Sequence, residues 1–366
     1  MLRNLVASLD RQRFDTLVVS LTTRSPIGDE LSALGIPVEV LGGSGGVLSL
    51  RQIVRLAKIA AAWRPDVIHA WMYHSNLAAF ALSLSPTLRR PALITSVRGA
   101  LNAPDQQKLP LRVVRRLDAL LSRRADAIVF NSAISAGQHV ALGYDGRRVN
   151  IIPNGFDTTL YLPSPDARER IRKSWVFDQE PIVGIIGRFD PLKGHRRFLE
   201  AAALVTRDRP DCRFVLAGRG CDDSNSVLTG WIAELGLRDR ALLLGEQRDV
   251  ASLDCALDAI VCASLSESFP NSIGEAMCCG VPAIVTDVGD CAALVGDTGI
   301  VVPPSDAPAI ADGILRVIRL DASARTNLGA RARARMVEKY ALPLIATRYA
   351  ALYESVNAAR LGRLRK

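Results

Sequence analysis

The sequence predicts an α/β protein of two domains, each a parallel sheet covered by helices on both faces. Three observations carry this expectation. Short β-branched runs alternate with helical patterns along the whole chain, which implies parallel strands joined by right-handed crossovers. The strand-like runs are continuously apolar rather than alternating, as expected when both faces of a sheet are covered. At 366 residues the chain suits two domains of ordinary size.

The first series of expected strands is Thr16–Leu21, Pro37–Leu41, Val67–Ala70, Ala92–Ser96 and Ala127–Phe130. The second is Ile182–Ile186, Arg213–Ala217, Ala241–Leu244, Ala259–Cys262 and Ala283–Thr286. Helical patterns include Leu50–Ala62, Leu111–Arg123, Arg196–Val205 and Asn271–Cys279. Between the two series, Ile151 to Asp157 and then Leu162-Pro163-Ser164-Pro165 are rich in Pro, Gly and Asn and read as a linker. The expected domains are therefore residues 1–160 and 161–340. A cleft is expected where the carboxyl ends of both sets of strands meet.

Seven cysteines, an odd number without a C-x-x-C pair, argue against a disulfide framework or a zinc site. They read as reduced, buried thiols. No apolar run has the length of a membrane span or a signal peptide, so a cytoplasmic location is expected. The net charge of +9 is uneven: +8 over residues 1–160, −3 over 161–340 and +4 over 341–366. The first half and the tail are thus expected to face something anionic. The basic residues show no nucleic-acid motif and the chain has few aromatic residues, so an anionic membrane surface or a phosphorylated lipid is favoured over nucleic acid.

Three constellations carry chemistry. Glu267-Ser268-Phe269-Pro270-Asn271-Ser272 to Glu275 follows the apolar strand Ala259–Cys262. Asn271 reads as a helix N-cap, with Pro270 preventing extension backwards. The loop before it then presents amide groups at a helix N-terminus, where an anion is favoured. A carboxylate accepts two hydrogen bonds from a sugar diol, so Glu267 and Glu275 suit two sugar rings. Gly187-Arg188 to Lys193-Gly194 follows Ile182–Ile186 and sets two cations at a strand end, where they suit a diphosphate. Gly218 ends a third strand in a glycine turn. The segment Gly42-Gly43-Ser44-Gly45-Gly46 reads as a flexible turn more than as a phosphate loop.

The arrangement G-R-x4-K-G, then a strand-A-G-x-G turn, then E-x7-E, resembles glycosyltransferase family 4. The run Glu275-Ala276-Met277 before Gly280-Val281-Pro282 fits closely, as does Thr286-Asp287-Val288-Gly289-Asp290. The resemblance covers residues 14 to 350 and is tighter in the second half. It implies the GT-B fold, two Rossmann-like domains with a last helix, here Ala341–Ala359, crossing back to the first. It implies Arg188 and Lys193 on the donor diphosphate and Glu275 on the ribose. Glu267 would contact the donor sugar, beside backbone groups of Ser268 to Ser272. Transfer with retention of configuration and without a metal or other cofactor is implied; no D-x-D carboxylate pair is present.

On the acceptor side, Asp66-Val67-Ile68-His69 follows the family's strand ending in His, so His69 is expected to face the cleft, with Tyr73 and Asn76 as acceptor contacts. Arg98 stands where many members carry His and is expected either to bind a phosphate or to serve the fold. The segment from Leu109 to Arg124 is amphipathic, and its basic residues suit anionic headgroups. One departure is that the family pattern opens with a strand and a Gly-rich loop, whereas this chain opens in the first helix at Leu2. The first domain is therefore expected to lack its first strand. The leading expectation is a retaining glycosyltransferase acting on a glycan or lipid-linked acceptor. The alternatives are a nucleotide-sugar-binding protein without transferase activity and a GT-B nucleotide-sugar epimerase.

Overall fold

The computed structural model describes residues 1–366 except 44–47, 86, 87, 89, 102–108, 178, 365 and 366, and the side chain of 364. The chain forms two units, Met1–Gly155 with Leu342–Lys366, and Phe156–Ala341.

The first unit holds strands β1 (Val18–Ser20), β2 (Val38–Val40), β3 (Val67–Trp71), β4 (Ala92–Val97), β5 (Ala127–Phe130) and β6 (Val149–Ile151). Its helices are α1 (Leu2–Ser8), α2 (Pro26–Ala33), α3 (Leu50–Trp63), α4 (Tyr73–Ser83), α5 (Leu109–Leu121) and α6 (Ala133–Ala141). All strand pairs are parallel, but the sheet lies in two pieces, β1-β2 and β3-β4-β5-β6. No strand precedes α1 among the described residues. Burial follows the pairing. Every residue of β4 and β5, each with two neighbours, is buried. The residues of β1 and β2 are only half-buried.

The second unit holds β7 (Ile182–Ile186), β8 (Arg213–Ala217), β9 (Ala241–Gly245), β10 (Ala259–Cys262), β11 (Ala283–Thr286) and β12 (Ile300–Val302). Helices α7 (Pro165–Ser174), α8 (His195–Asp208), α9 (Ser226–Glu234), α10 (Val250–Ala256), α11 (Asn271–Cys278), α12 (Cys291–Val295), α13 (Ala307–Ile318) and α14 (Ala322–Tyr340) accompany them. The strand order is β12-β11-β10-β7-β8-β9, all parallel. One core cluster packs α8 and α13 on one face, including Phe198, Phe214 and Ile314. The other face holds α11 and α14, including Ile273, Met277 and Met336. Chain order reverses between β7 and β10, and in such sheets ligands bind at the carboxyl ends of the strands at that switch point.

Finally α15 (Leu342–Leu364) returns to the first unit, where Ile345, Ala346, Tyr349 and Val356 pack with Leu5, Ile94 and Val129. The seven cysteines are free and buried. The expected N-cap at Asn271 is corrected: Pro270 occupies that position and Asn271 is the first helical residue. Gly43 donates its amide to Leu21 O (2.8 Å), which ties the glycine-rich turn back to the end of β1. Ser44, Gly45 and Gly46 lie outside the described residues.

Candidate active site

The site is built where β7 and β10 end side by side. After β7, Gly187 and Arg188 lead into a short 3-10 turn, Pro191–Lys193. Asp190 caps that turn by accepting from Leu192 N (2.9 Å), and its other oxygen accepts from Arg188 Nη2 (3.1 Å). Gly194 follows with φ 72°, and a Cβ there would lie 1.9 Å from the carbonyl oxygen of Ala263. Only glycine lets the β7 loop close onto the end of β10 this tightly. Leu265 N donates to Leu192 O (2.8 Å), which joins the two loops by backbone as well.

This contact delivers Lys193 to Glu267. Lys193 Nζ stands 2.5 Å from Glu267 Oε2, and Ser268 N donates to Glu267 Oε1 (3.2 Å). Burial pulls the Lys193 ammonium towards neutrality, but the Glu267 charge and hydrogen bond outweigh it, so its pKa lies above the ordinary lysine value. The ammonium is therefore charged at neutral pH. Arg188 is close enough to oppose that charge slightly. Two cations, Arg188 and Lys193, and two carboxylates, Asp190 and Glu267, thus sit at the switch point.

The loop from Glu267 to Pro270 is anchored from beneath. The Phe269 ring stacks on Phe156 (6.2 Å between centroids) and tilts against Tyr340 (5.8 Å). Phe269 is buried in the core, so any donor contact it makes runs through its backbone. Gly289, with φ 53°, lies under the loop, where a Cβ would come within 2.0 Å of Glu267 O. Asp290 N donates to Ser268 O (3.0 Å). Ser268 and Pro270 are buried, Ser272 is half-buried and Asn271 is exposed.

Glu275 lies one turn into α11. Burial raises its pKa, partly offset by a hydrogen bond from Tyr161. Asp254 of α10 stands close by, fully buried, and burial together with the Glu275 charge raises its pKa well above the usual carboxylate value. Neither oxygen of Asp254 has a hydrogen-bond partner among the described residues.

Beside these groups a cavity of about 320 Å³ opens at the ends of β7, β8 and β9, within the size range of small-molecule sites. Arg188 and Gly218 line it, together with Arg219, Gln247, Val250 and Leu253. Arg219, Gln247 and the α10 residues are absent from the sequence-based set. The signal for them is present, because Glu246-Gln247 follows Gly245 at the end of β9 much as Arg188 follows Gly187 after β7 and Arg219 follows Gly218 after β8. Gly218 holds φ 136°, and a Cβ there would lie 2.2 Å from Gly187 O. Gly218→Ala is therefore expected to destabilise the second unit by about 2 kcal/mol or more and to displace Arg188. An unchanged midpoint in thermal unfolding would rule out this close approach.

The acceptor-side residues of the first unit behave differently. Tyr73 and Asn76 are buried and cannot serve as open acceptor contacts, which corrects the expectation for both. Tyr73 Oη bonds His139 Nε2 (2.9 Å), and burial pushes its phenol up to about 12. Asn76 Nδ2 donates to Asp118 Oδ2 (2.9 Å), which also accepts from Tyr144 Oη (2.6 Å). Burial raises the Asp118 carboxyl to about 6. His69 bonds Tyr353 Oη of α15 through Nδ1 (2.9 Å) and packs against Trp71 and Tyr349. Burial and the nearby Arg98 charge lower its pKa to about 3, so the ring is neutral. Arg98 donates to Tyr349 Oη (2.9 Å) and to Asn154, and stacks 4.6 Å over the Trp71 ring. His69 and Arg98 thus fasten β3 and β4 to α15.

Residues 167–335 match the family Glycosyl transferases group 1, and residues 1–160 match Glycosyltransferase Family 4. The chain is also 30% identical over 247 residues to the lipopolysaccharide core biosynthesis mannosyltransferase LpsB of Rhizobium meliloti, spanning 64% of this chain and 67% of that protein. The chain belongs to glycosyltransferase family 4. This family 4 enzyme is also 27% identical to the D-inositol 3-phosphate glycosyltransferase of Mycobacterium tuberculosis, over 83% of this chain and 63% of that protein. Alr3699/HepE of Anabaena, solved in complex with UDP and glucose, superposes with a TM-score of 0.84 at 25% identity, covering 97% of this chain and 95% of that one. The family 4 chain is accordingly a transferase of GT-B fold that moves glycosyl groups.

Proposed function

We propose that the protein transfers a sugar, with retention of configuration, from a nucleotide-diphosphate donor to a glycan or lipid-linked acceptor in cell-surface polysaccharide or glycolipid biosynthesis. The observation that carries this reading is the Lys193–Glu267 pair, held at the switch point of the second unit beside the cavity lined by Arg188 and Gly218. An ammonium has three donors, so Lys193 can hold Glu267 and a phosphate oxygen together. Arg188 and Lys193 bind the diphosphate and stabilise the charge that develops on it as it leaves. Glu267, fixed by Lys193 and Ser268 N, keeps lone pairs for hydroxyls of the donor sugar. Glu275 takes the ribose, and the cavity takes the base. These cations supply the positive charge opposite the diphosphate, so the reaction needs no divalent metal. The lipopolysaccharide mannosyltransferase among its relatives supports the acceptor class.

The same reading places the enzyme peripherally at the cytoplasmic side of an anionic membrane. No helix among the described residues is long and apolar enough to cross a membrane. The test is mass spectrometry of the protein incubated with a panel of nucleotide sugars and lipid-linked or oligosaccharide acceptors. Glycosylated acceptor and free nucleoside diphosphate are expected from one donor. Donor binding without transfer would leave a binding protein, an epimerised donor without acceptor would make it an epimerase, and neither binding nor transfer would overturn the reading.

A further inference from the structure

The cavity at the ends of β7, β8 and β9 has an apolar floor and a polar rim. Ile186, Val250 and Leu253 supply the floor, and the exposed side chains of Arg219, Glu246 and Gln247 supply the rim. The loops that carry this rim are fixed by backbone. Gly245, with φ 62°, accepts at its carbonyl from Gly218 N (2.7 Å) and donates its amide to Cys221 O (2.8 Å), so the turns after β8 and β9 are held to each other. Asp249 then caps α10 by accepting from Ser252 N (3.1 Å). Glu246 and Gln247 lie on the short span between these two anchors. Gln247 folds back and donates its Nε2 to Leu244 O, which leaves its Oε1 as an acceptor. Glu246 adds two more acceptor oxygens, and Arg219 adds the donors. Neither of these charges has a side-chain partner among the described residues.

We propose that this rim selects guanine, so that the donor is a guanosine-diphosphate sugar. The inference rests on the reading above that the cavity takes the base, and it names which base. Among the bases of common sugar nucleotides, guanine alone presents two neighbouring donors, N1–H and the 2-amino group. A carboxylate takes such a pair through both of its oxygens, which is the chemistry that Glu246 supplies. Guanine also presents O6 and N7 side by side, the pattern that an arginine fork reads bidentately, and this suits Arg219. Uracil and thymine offer one donor between two carbonyl oxygens. A carboxylate accepting from that N3–H would set its second oxygen against a carbonyl lone pair. Adenine has neither the paired donors nor the oxygen. The apolar floor takes the face of any of these rings, so the choice is made at the rim.

Titration calorimetry of the full chain with GDP, UDP, ADP and IDP tests this. GDP is expected to bind roughly 10- to 100-fold more tightly than UDP or ADP, the discrimination that follows from one bidentate contact to a base. IDP differs from GDP only in lacking the 2-amino group and is expected to bind about tenfold more weakly. In Glu246→Gln the amide can still accept from N1–H but no longer from both donors. That variant is expected to lose about tenfold in GDP affinity and little in IDP affinity, so that the two converge. Arg219→Ala is expected to weaken both. Thermal unfolding, read on the same samples, is expected to stay unchanged, because both side chains are exposed. UDP or ADP binding as tightly as GDP would overturn the proposal and leave the donor site standing. So would a ratio of GDP to IDP affinity that Glu246→Gln does not change. Binding of none of these nucleotides would overturn the donor-site reading and this proposal with it.

Discussion

Replacing Lys193 by alanine is expected to weaken nucleotide-sugar binding roughly 10- to 100-fold, the loss that follows from removing one charge-assisted contact to a phosphate. Lys193 suits this role because its position is imposed from three directions. The Asp190 cap shapes the turn, Gly194 closes it onto Ala263, and Glu267 holds the ammonium. A cation fixed in this way loses little freedom when a phosphate arrives. Calorimetry with a panel of nucleoside diphosphates and their sugars would measure the effect. Undiminished affinity would remove Lys193 from the donor site, and a matching loss of thermal stability would assign it to the fold instead.

Glu267→Gln is expected to divide the two roles of the site. The amide keeps the shape and removes the charge, so turnover is expected to fall about 100-fold, in the range for losing one electrostatic contact to the reacting centre. Donor affinity should change only a few-fold, since in the proposed donor site the phosphates are held by Arg188 and Lys193. The variant carries a second signature. Lys193 sits above the ordinary lysine pKa because Glu267 outweighs burial. A group raised in this way keeps its charge through neutral and mildly alkaline pH and loses it only above its unfolded value. With the carboxylate gone, burial is the largest remaining influence and lowers the pKa. Donor binding by Glu267→Gln is therefore expected to fail at a lower alkaline pH than in the unmodified enzyme. Equal losses of affinity and turnover, with no shift of the alkaline limb, would place Glu267 in binding alone.

Much of the second unit's fold is legible in the sequence because its signals are local. The strands Ile182–Ile186, Arg213–Ala217, Ala259–Cys262 and Ala283–Thr286 occupy the residues read from sequence. They are apolar on both faces and end at residues that break them. Val149–Ile151 and Ile300–Val302 were missed because three residues at a sheet edge make no visible run. The acceptor side misled for a different reason. A polar residue at a strand end reads the same whether it meets a ligand or an interior partner. Asn76 meets Asp118, and His69 meets Tyr353 284 positions away, and no local pattern announces such a pairing. The amphipathic pattern of α5 was visible, but which face turns inward is decided by Asn76, Tyr144 and Tyr73 on other segments.

The return of α15 has a consequence for how the protein is made. The second unit is an insertion in the first: the chain leaves at Gly155 and comes back at Leu342, and Phe156 N bonds Tyr340 O where the two crossings meet. On the ribosome the second unit is complete once Ala341 has emerged, and it can fold then as a domain. The first unit, begun earlier, still lacks Ile345, Tyr349 and Val356, which close its core against Leu5, Ile94 and Val129. The half that is synthesised first is therefore the half that finishes last. A nascent chain halted before residue 342 should present a protease-resistant second unit beside a first unit that remains open to cleavage.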